Sequence, residues 1–365
     1  MRIQATEEGL YSVKLFVAEL LGYKGLSVED KAAKGYEAYL NKTLHKLDLS
    51  KEEDRKELHE NIWLERLYNE IEAYEDNKIM RALDSTVEPF KWSVPIELDF
   101  SASMLGILGL LLGDKRLLEM TNMSYTGKLN DPWQTKNMSR TLFKQPAMQM
   151  IYGSTKSASE IWKKNKTKFS IDDVMEFDKI LKEGAFGLAN DVKNFIIHYC
   201  NPEPVMFPKV WGCTYKIECN KHNKLGDYPI KFDMYNSETD TIKTITHMHT
   251  KKVPDLKSFK RFFVTNLIHH IDSRIADYIC NKIYDKYEWV VDIHDAFLVS
   301  PEAASDVRKY AEEAMLDIYT NRKEIIVDYF RSIGIKGKEA KETWLAIMNK
   351  VKPIEDFKPS GWTLK

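Results

Sequence analysis

Arg140, Lys144, Met148 and Tyr152 recur at every fourth position of SRTLFKQPAMQMIYGS, residues 139–154. On a helix this spacing stacks them along one face: two cations, then an apolar group, then a tyrosine followed by Gly153. An amphipathic helix ordinarily buries its apolar side chains on one face and leaves its cations on the other. Cations and apolar groups on a shared face suit a ligand that is polyanionic at one end and flat or sugar-like at the other. A nucleoside triphosphate has that shape. The competing reading is a plain amphipathic helix whose Arg140 and Lys144 reach past apolar surface to water. Pro146 bears on both, because proline is tolerated only in a helix's first turn. Either the regular helix starts near Lys144, with both cations at an N-terminus suited to phosphates, or it is kinked there.

Two carboxylates also stand in unusual places. WSVPIELDF, residues 92–100, reads as a short buried strand that Pro95 confines to a sheet edge or a strand start, with Asp99 at its end. The following SASMLGILGLLLGD reads as a buried helix. Asp99 is a candidate metal ligand, although as a lone feature it is better read as that helix's N-cap. EWVVDIHDAFLVS, residues 288–300, reads as two apolar strands interrupted by His294 and Asp295. Packing explains such a bend poorly, since a buried carboxylate is costly unless it is paired or holds a metal. His269 and Asp272 share a face of a helix that opens at KSFKR, residues 257–261.

The elements that position these groups belong to a chain of 365 residues, long enough for two or three domains or subdomains. A hydrophobic content of 43% describes a folded soluble protein, and a formal net charge of −1 leaves nucleic-acid binding to local basic patches. The four cysteines form no dense disulfide framework, which points to reduced thiols in a cytoplasm. The spacing of Cys213, Cys219 and His222 does not match a common zinc site. The apolar run from Met104 to Leu112 is too short to span a bilayer and reads as a core helix.

Residues 1–90 read as helical, with Leu10, Val13, Phe16, Val17, Leu20 and Leu21 at helical spacing and capped starts at Ser27 and Ser50. A stripe of Ile62, Leu64, Leu67, Ile71 and Tyr74 follows. This region reads as scaffold or docking surface without chemistry. Lys156, Lys163, Lys164, Lys166 and Lys168, with Trp162 among them, form either a phosphate-backbone track or a solvated helix face. Val210 to Cys219 alternates as a strand, and Tyr228 to Tyr235 and Thr241 to His249 are expected to pair with it in one small antiparallel sheet. Residues 301–365 read as helical and charged.

Taken together, IELDFSAS (96–103), RTLFKQPAMQMIYGS (140–154) and VDIHDAF (291–297) resemble three motifs of one family, in the family's order. They are similar to the first palm motif, the fingers helix and the second palm motif of the single-subunit RNA polymerases of phages and mitochondria (the phage T-seven type). These enzymes are relatives of the family-A DNA polymerases. NLIHHIDS (266–273) is similar to the family's histidine segment. The resemblance covers roughly residues 92 to 300, and it is the order of four motifs that makes it specific.

The resemblance implies an α+β, mostly helical right-hand fold of palm and fingers that performs DNA-templated RNA synthesis. Asp99 and Asp295 would hold two Mg²⁺ ions, with the Phe100 carbonyl as a further ligand. Arg140 and Lys144 would neutralise the triphosphate of an incoming ribonucleotide, and Lys144 would protonate the leaving pyrophosphate. Met148 and Tyr152 would meet the nucleoside, and His269 (or its neighbour His270) would sense the ribose together with Tyr152. Gly153 would let the template base come close. Family-A DNA polymerases usually carry an aromatic residue where Met148 stands and a glutamate where Ala296 stands, so both positions favour RNA synthesis. Ala296 also departs from the serine usual in the RNA enzymes. The rival readings are a DNA polymerase or primase of the same fold, and a non-catalytic nucleic-acid-binding or assembly subunit.

On this reading residues 1–90 form a helical N-terminal palm or docking region and 91–127 the first part of the palm. Residues 128–268 form the fingers with a small β-insert near 210–249, and 269–365 the rest of the palm with C-terminal helices. Only 98 residues precede Asp99. The thumb and promoter-binding region are therefore expected on a second, smaller subunit, as in the two-subunit RNA polymerases of N-four-like phages. The implied partners are a DNA template, the RNA product, that subunit and a recruiting DNA-binding protein. No membrane is implied, and the expected location is the cytoplasm of an infected bacterial cell.

Overall fold

Caps and apolar stripes make the first part of the chain helical. The computed structural model describes residues 4–47, 54–154, 156–200, 205–210, 213–217, 223–236, 241–254, 256–287, 289–293 and 296–364. Thr6 caps α1 (Glu7–Leu20), its hydroxyl accepting the Gly9 N–H at 3.2 Å. Ser27 caps α2 (Val28–Leu40) in the same way, accepting the Asp30 N–H at 3.0 Å. The two helices close on each other at Gly35, where a Cβ would collide with the Lys14 carbonyl. In α3 (Asp54–Leu83) Leu64, Leu67, Ile71 and Tyr74 are buried. Ile62 leaves the expected stripe and is 43% exposed, because two residues before Leu64 is about 200° away around a helix. The capped start expected at Ser50 lies outside the described residues.

β1 (Ile96–Asp99) begins directly after Pro95. The wholly buried α4 (Ser103–Leu112) starts from Ala102 in the left-handed conformation, φ 58°, with no side-chain cap. The N-cap reading of Asp99 is thereby corrected: three residues of loop separate it from the helix, and its carboxylate is exposed. α5 (Lys115–Met120) follows, and a long connector leads to α6 (Arg140–Ile151).

α6 settles the Pro146 question. Ser139 caps it, so the helix starts at Arg140 and not near Lys144, and it runs through Pro146 to Ile151. Proline cannot donate to the carbonyl four residues back, which is that of Leu142. The indole Nε1 of Trp162 donates to that carbonyl instead, at 2.8 Å. Trp162 belongs to α7 (Ala158–Lys164), which precedes α8 (Ile171–Ile180) and α9 (Gly184–Tyr199). These helices wrap α6 through an aromatic cluster in which Phe143 meets Phe177 and Phe186, and Trp162 meets Phe169 and Phe177.

The strands that follow α9 pair differently from expectation. β2 (Val205–Val210) and β3 (Cys213–Ile217) are antiparallel, with Val210 opposite Cys213, so the chain reverses inside the stretch read as one strand. β4 (Asn223–Asn236) and β5 (Thr241–Pro254) pair only with each other among the described residues, from Asn223 opposite Pro254 to Asn236 opposite Thr241.

The 32-residue α10 (Leu256–Tyr287) then leads to β6 (Val291–Ile293) and β7 (Ala296–Val299). These complete a three-stranded antiparallel sheet in the order β1-β7-β6. In β7 Phe297 and Val299 are buried, whereas Val291 and Ile293 of the edge strand β6 are exposed, contrary to the reading of two apolar strands. α11 (Ala304–Ser332) and α12 (Lys338–Met348) follow, and the Tyr329 hydroxyl ties α11 to α10 by donating to the Phe263 carbonyl at 2.6 Å. Glu302 anchors the N-terminal region, accepting from the Thr6 N–H at 2.8 Å, the Thr6 hydroxyl at 2.5 Å and the Trp92 indole at 2.9 Å. Residues 360–364 return beneath β1, where the Ser101 N–H donates to the Thr363 carbonyl at 2.8 Å and Leu364 pairs with Phe100. The architecture is α+β and mostly helical. Among the described residues no helix is long and apolar enough to cross a membrane.

Candidate active site

A cleft of about 790 Å³ opens between the exposed end of β1 and one face of α6. Asp99, Arg140, Lys144, Met148 and Tyr152 all line it. Asp99 is exposed at the end of β1, whereas the Phe100 side chain next to it is buried. The Phe100 carbonyl accepts the Ala102 N–H at 3.0 Å, which occupies one of its two lone pairs. Strand register sets Asp99 opposite Ala296. His294 and Asp295 lie outside the described residues.

The polar end of the cleft is a knot of opposite charges. Arg140 Nε donates to Asp131 Oδ2 at 2.7 Å, and Lys24 Nζ lies 4.0 Å from the same oxygen. Burial, and then the neighbouring charges of Arg140 and Lys24, hold the Lys144 ammonium below the ordinary lysine range, against the pull of Asp131 and Asp99. Burial opposes the ionisation of Asp131, yet the Trp133 N–H and Arg140 keep its carboxyl below the usual range.

At the other end of α6 the chain turns through Gly153 at φ +95°. A Cβ there would meet Arg261 only at ordinary contact distance, so the glycine is needed for its backbone conformation and not for space. This turn is held from two sides. Lys193 Nζ of α9 donates to the Met150 carbonyl at 3.2 Å, and Thr265 Oγ1 of α10 donates to the Tyr152 carbonyl at 3.0 Å. The Tyr152 ring stacks on His269, with centroids 6.0 Å apart and planes 25° from parallel. His269 is exposed, whereas His270 is buried and its imidazole is pushed towards neutrality by that burial. Of the two histidines, His269 is the one placed beside the cleft.

Several lining groups escaped the sequence reading. Lys24 sits in a loop without periodic pattern, and Asp131 in NDPW registers only as turn chemistry. Glu19, Glu60 and Trp63 bring the N-terminal helices into the cleft wall. The lysine run loses its aromatic component, because Trp162 is 1% exposed and its indole is committed to Leu142. Its lysines are exposed on the surface. Oxygen donors such as Asp99, open to the cleft, suit a hard cation of the Mg²⁺ type. Among the described residues no three His, Cys, Asp or Glu side chains converge as a metal-binding group. Comparison with known protein families and with curated proteins finds no match for this chain.

Proposed function

We propose that the chain is the catalytic fingers-and-palm subunit of a phage-type, DNA-templated RNA polymerase. One observation carries the reading: Asp99 and the four residues spaced along α6 share a single cleft. A carboxylate, a cationic end and an apolar-aromatic end are what a metal-bound nucleoside triphosphate requires.

In this reading Asp99, together with Asp295, holds Mg²⁺. When bound, the metal supplies Lewis acidity for nucleotidyl transfer and charge neutralisation for the phosphates. Arg140 and Lys144 hold the triphosphate in line with the primer end. Lys144 then passes a proton from Nζ to the departing pyrophosphate oxygen, a task eased by its lowered affinity for protons. Met148 and the Tyr152 ring receive the nucleoside, and Tyr152, backed by His269, meets the sugar. Lys24 adds a third positive charge from the N-terminal region.

The test is extension of an RNA primer on a DNA template with Mg²⁺, comparing ribonucleotides with deoxynucleotides and using Asp295→Asn as the blank. Extension with ribonucleotides alone is the expected result. Extension with deoxynucleotides would move the chain to the DNA polymerase reading. Failure with both, even with co-purifying proteins added, would favour an assembly subunit.

A further inference from the structure

Asp131 is a carboxylate that pairs with two cations of the cleft, Arg140 and Lys24, and its own place is fixed from both sides. Just before it, the Asn130 N–H donates to Asn122 Oδ1 at 2.6 Å, and Asn122 Nδ2 donates back to the Asn130 carbonyl at 3.0 Å. Just after it, the Trp133 N–H donates to Asp131 Oδ1 at 3.1 Å, and the buried Trp133 ring packs against Phe186 of α9. The Leu129 N–H donates to the Leu26 carbonyl at 2.8 Å and docks the Lys24 loop onto the same segment. The Asp131 side chain is 5% exposed, against 39% for Arg140 and 33% for Lys24. The carboxylate is thus the fixed end of each pair, and the long cationic side chains are the ends with freedom to lose.

We propose that Asp131 is a positioning residue, an internal counter-anion that holds Arg140, and through charge Lys24, converged on the site of the incoming triphosphate. This rests on the polymerase reading above. An arginine left to itself samples many rotamers, and each must be given up when phosphate binds. A buried partner on the guanidinium's Nε edge removes that freedom in advance and leaves the remaining guanidinium N–H groups for phosphate. It also lowers the repulsion among Lys24, Arg140 and Lys144, which gather at one end of the cleft.

The experiment measures ribonucleotide incorporation by the full chain carrying Asp131→Asn, with any partner it needs. Asparagine retains an oxygen for the Trp133 N–H, so the turn survives while the charge and the acceptor for Arg140 Nε are lost. The expected result is a KM for ribonucleotides raised about tenfold, as for one charge-assisted contact, with kcat lowered much less and thermal stability kept. The pyrophosphate inhibition constant rises in parallel. In an Arg140→Ala background the same substitution adds less, because the larger part of its effect runs through the Arg140 contact and only the charge on Lys24 remains. A KM unchanged or lowered by Asp131→Asn, or full additivity with Arg140→Ala, would overturn the proposal. Inorganic tripolyphosphate binding, followed by calorimetry, separates the two levels of inference. If the wild type extends primers and binds tripolyphosphate while Asp131→Asn binds it equally well, the positioning role alone fails. If the wild type does neither, the polymerase reading fails and takes the proposal with it.

Discussion

The Tyr152 ring and the His269 imidazole lie 6.0 Å apart and 25° from parallel, joining the C-terminal end of α6 to the middle of α10. With the Tyr152 carbonyl accepting from Thr265, two contacts to α10 hold the turn that carries Tyr152 into the cleft. Rigidity there matters because discrimination of a sugar by one hydroxyl depends on polar groups that cannot move to accommodate its loss. Tyr152→Phe keeps the stack and removes the hydroxyl. It should raise deoxynucleotide use relative to ribonucleotide use about tenfold, the worth of one hydrogen bond in a desolvated site. The ratio of kcat/KM for UTP and dUTP measures this, and an unchanged ratio removes Tyr152 from sugar selection.

Asp99 is exposed at the end of β1, so its substitution should separate chemistry from folding. Asp99→Asn should lower primer extension by a factor of about 10³ or more if it holds a metal. Stability should stay within about 0.5 kcal/mol, as is usual for exposed positions. Chemical denaturation alongside the extension assay checks both. Retained synthesis would sink the metal assignment.

The Trp162 indole donates to the Leu142 carbonyl, the acceptor that Pro146 leaves without a donor from its own helix. Trp162→Phe should therefore cost about 2 kcal/mol, chiefly by leaving a carbonyl without its donor. In a Pro146→Ala background the helix regains its own N–H, and the same change should cost about 1 kcal/mol less. Packing losses are common to both backgrounds and cancel in the cycle. Urea denaturation of the four proteins reads the coupling, and additive costs would refute it.

Lys144 sets an expected pH dependence. A general acid works only while protonated, and burial with neighbouring cations lowers the pH at which Lys144 loses its proton. The rate should fall on the alkaline side, beginning below the ordinary lysine range. A bound triphosphate adds negative charge and strengthens proton binding, so the limb for kcat should lie at higher pH than the limb for kcat/KM. Lys144→Arg, which keeps its proton throughout, should lower the maximal rate about 10²-fold and remove the limb. A profile unchanged by Lys144→Arg would assign the proton elsewhere.

What was legible in the sequence was what local spacing encodes. The four-residue recurrence of Arg140, Lys144, Met148 and Tyr152 implies a shared helical face wherever that helix packs, and α6 presents it to one cleft. Asp99 at a strand end, the apolar α4 and the hairpin strands around residues 291–299 follow from alternation and turn chemistry in the same way. Local spacing misled where one pattern admitted two structures. The alternation from Val210 to Cys219 ran across a chain reversal, and Pro146 suggested a late helix start because the donor that rescues Leu142 lies in another helix.

By itself, then, the sequence determined which residues share a face and which cationic, apolar and aromatic types stand along it. Tertiary structure alone decided that Lys24 and Asp131 join them, that His269 and not His270 meets Tyr152, and that the N-terminal helices wall the cleft. The physical reason is one of range. Backbone periodicity is set by neighbours within a turn or two. Contacts such as that of Lys24 with Asp131, or of Tyr152 with His269, depend on how separate elements bury their surfaces against one another, and no local pattern records that outcome.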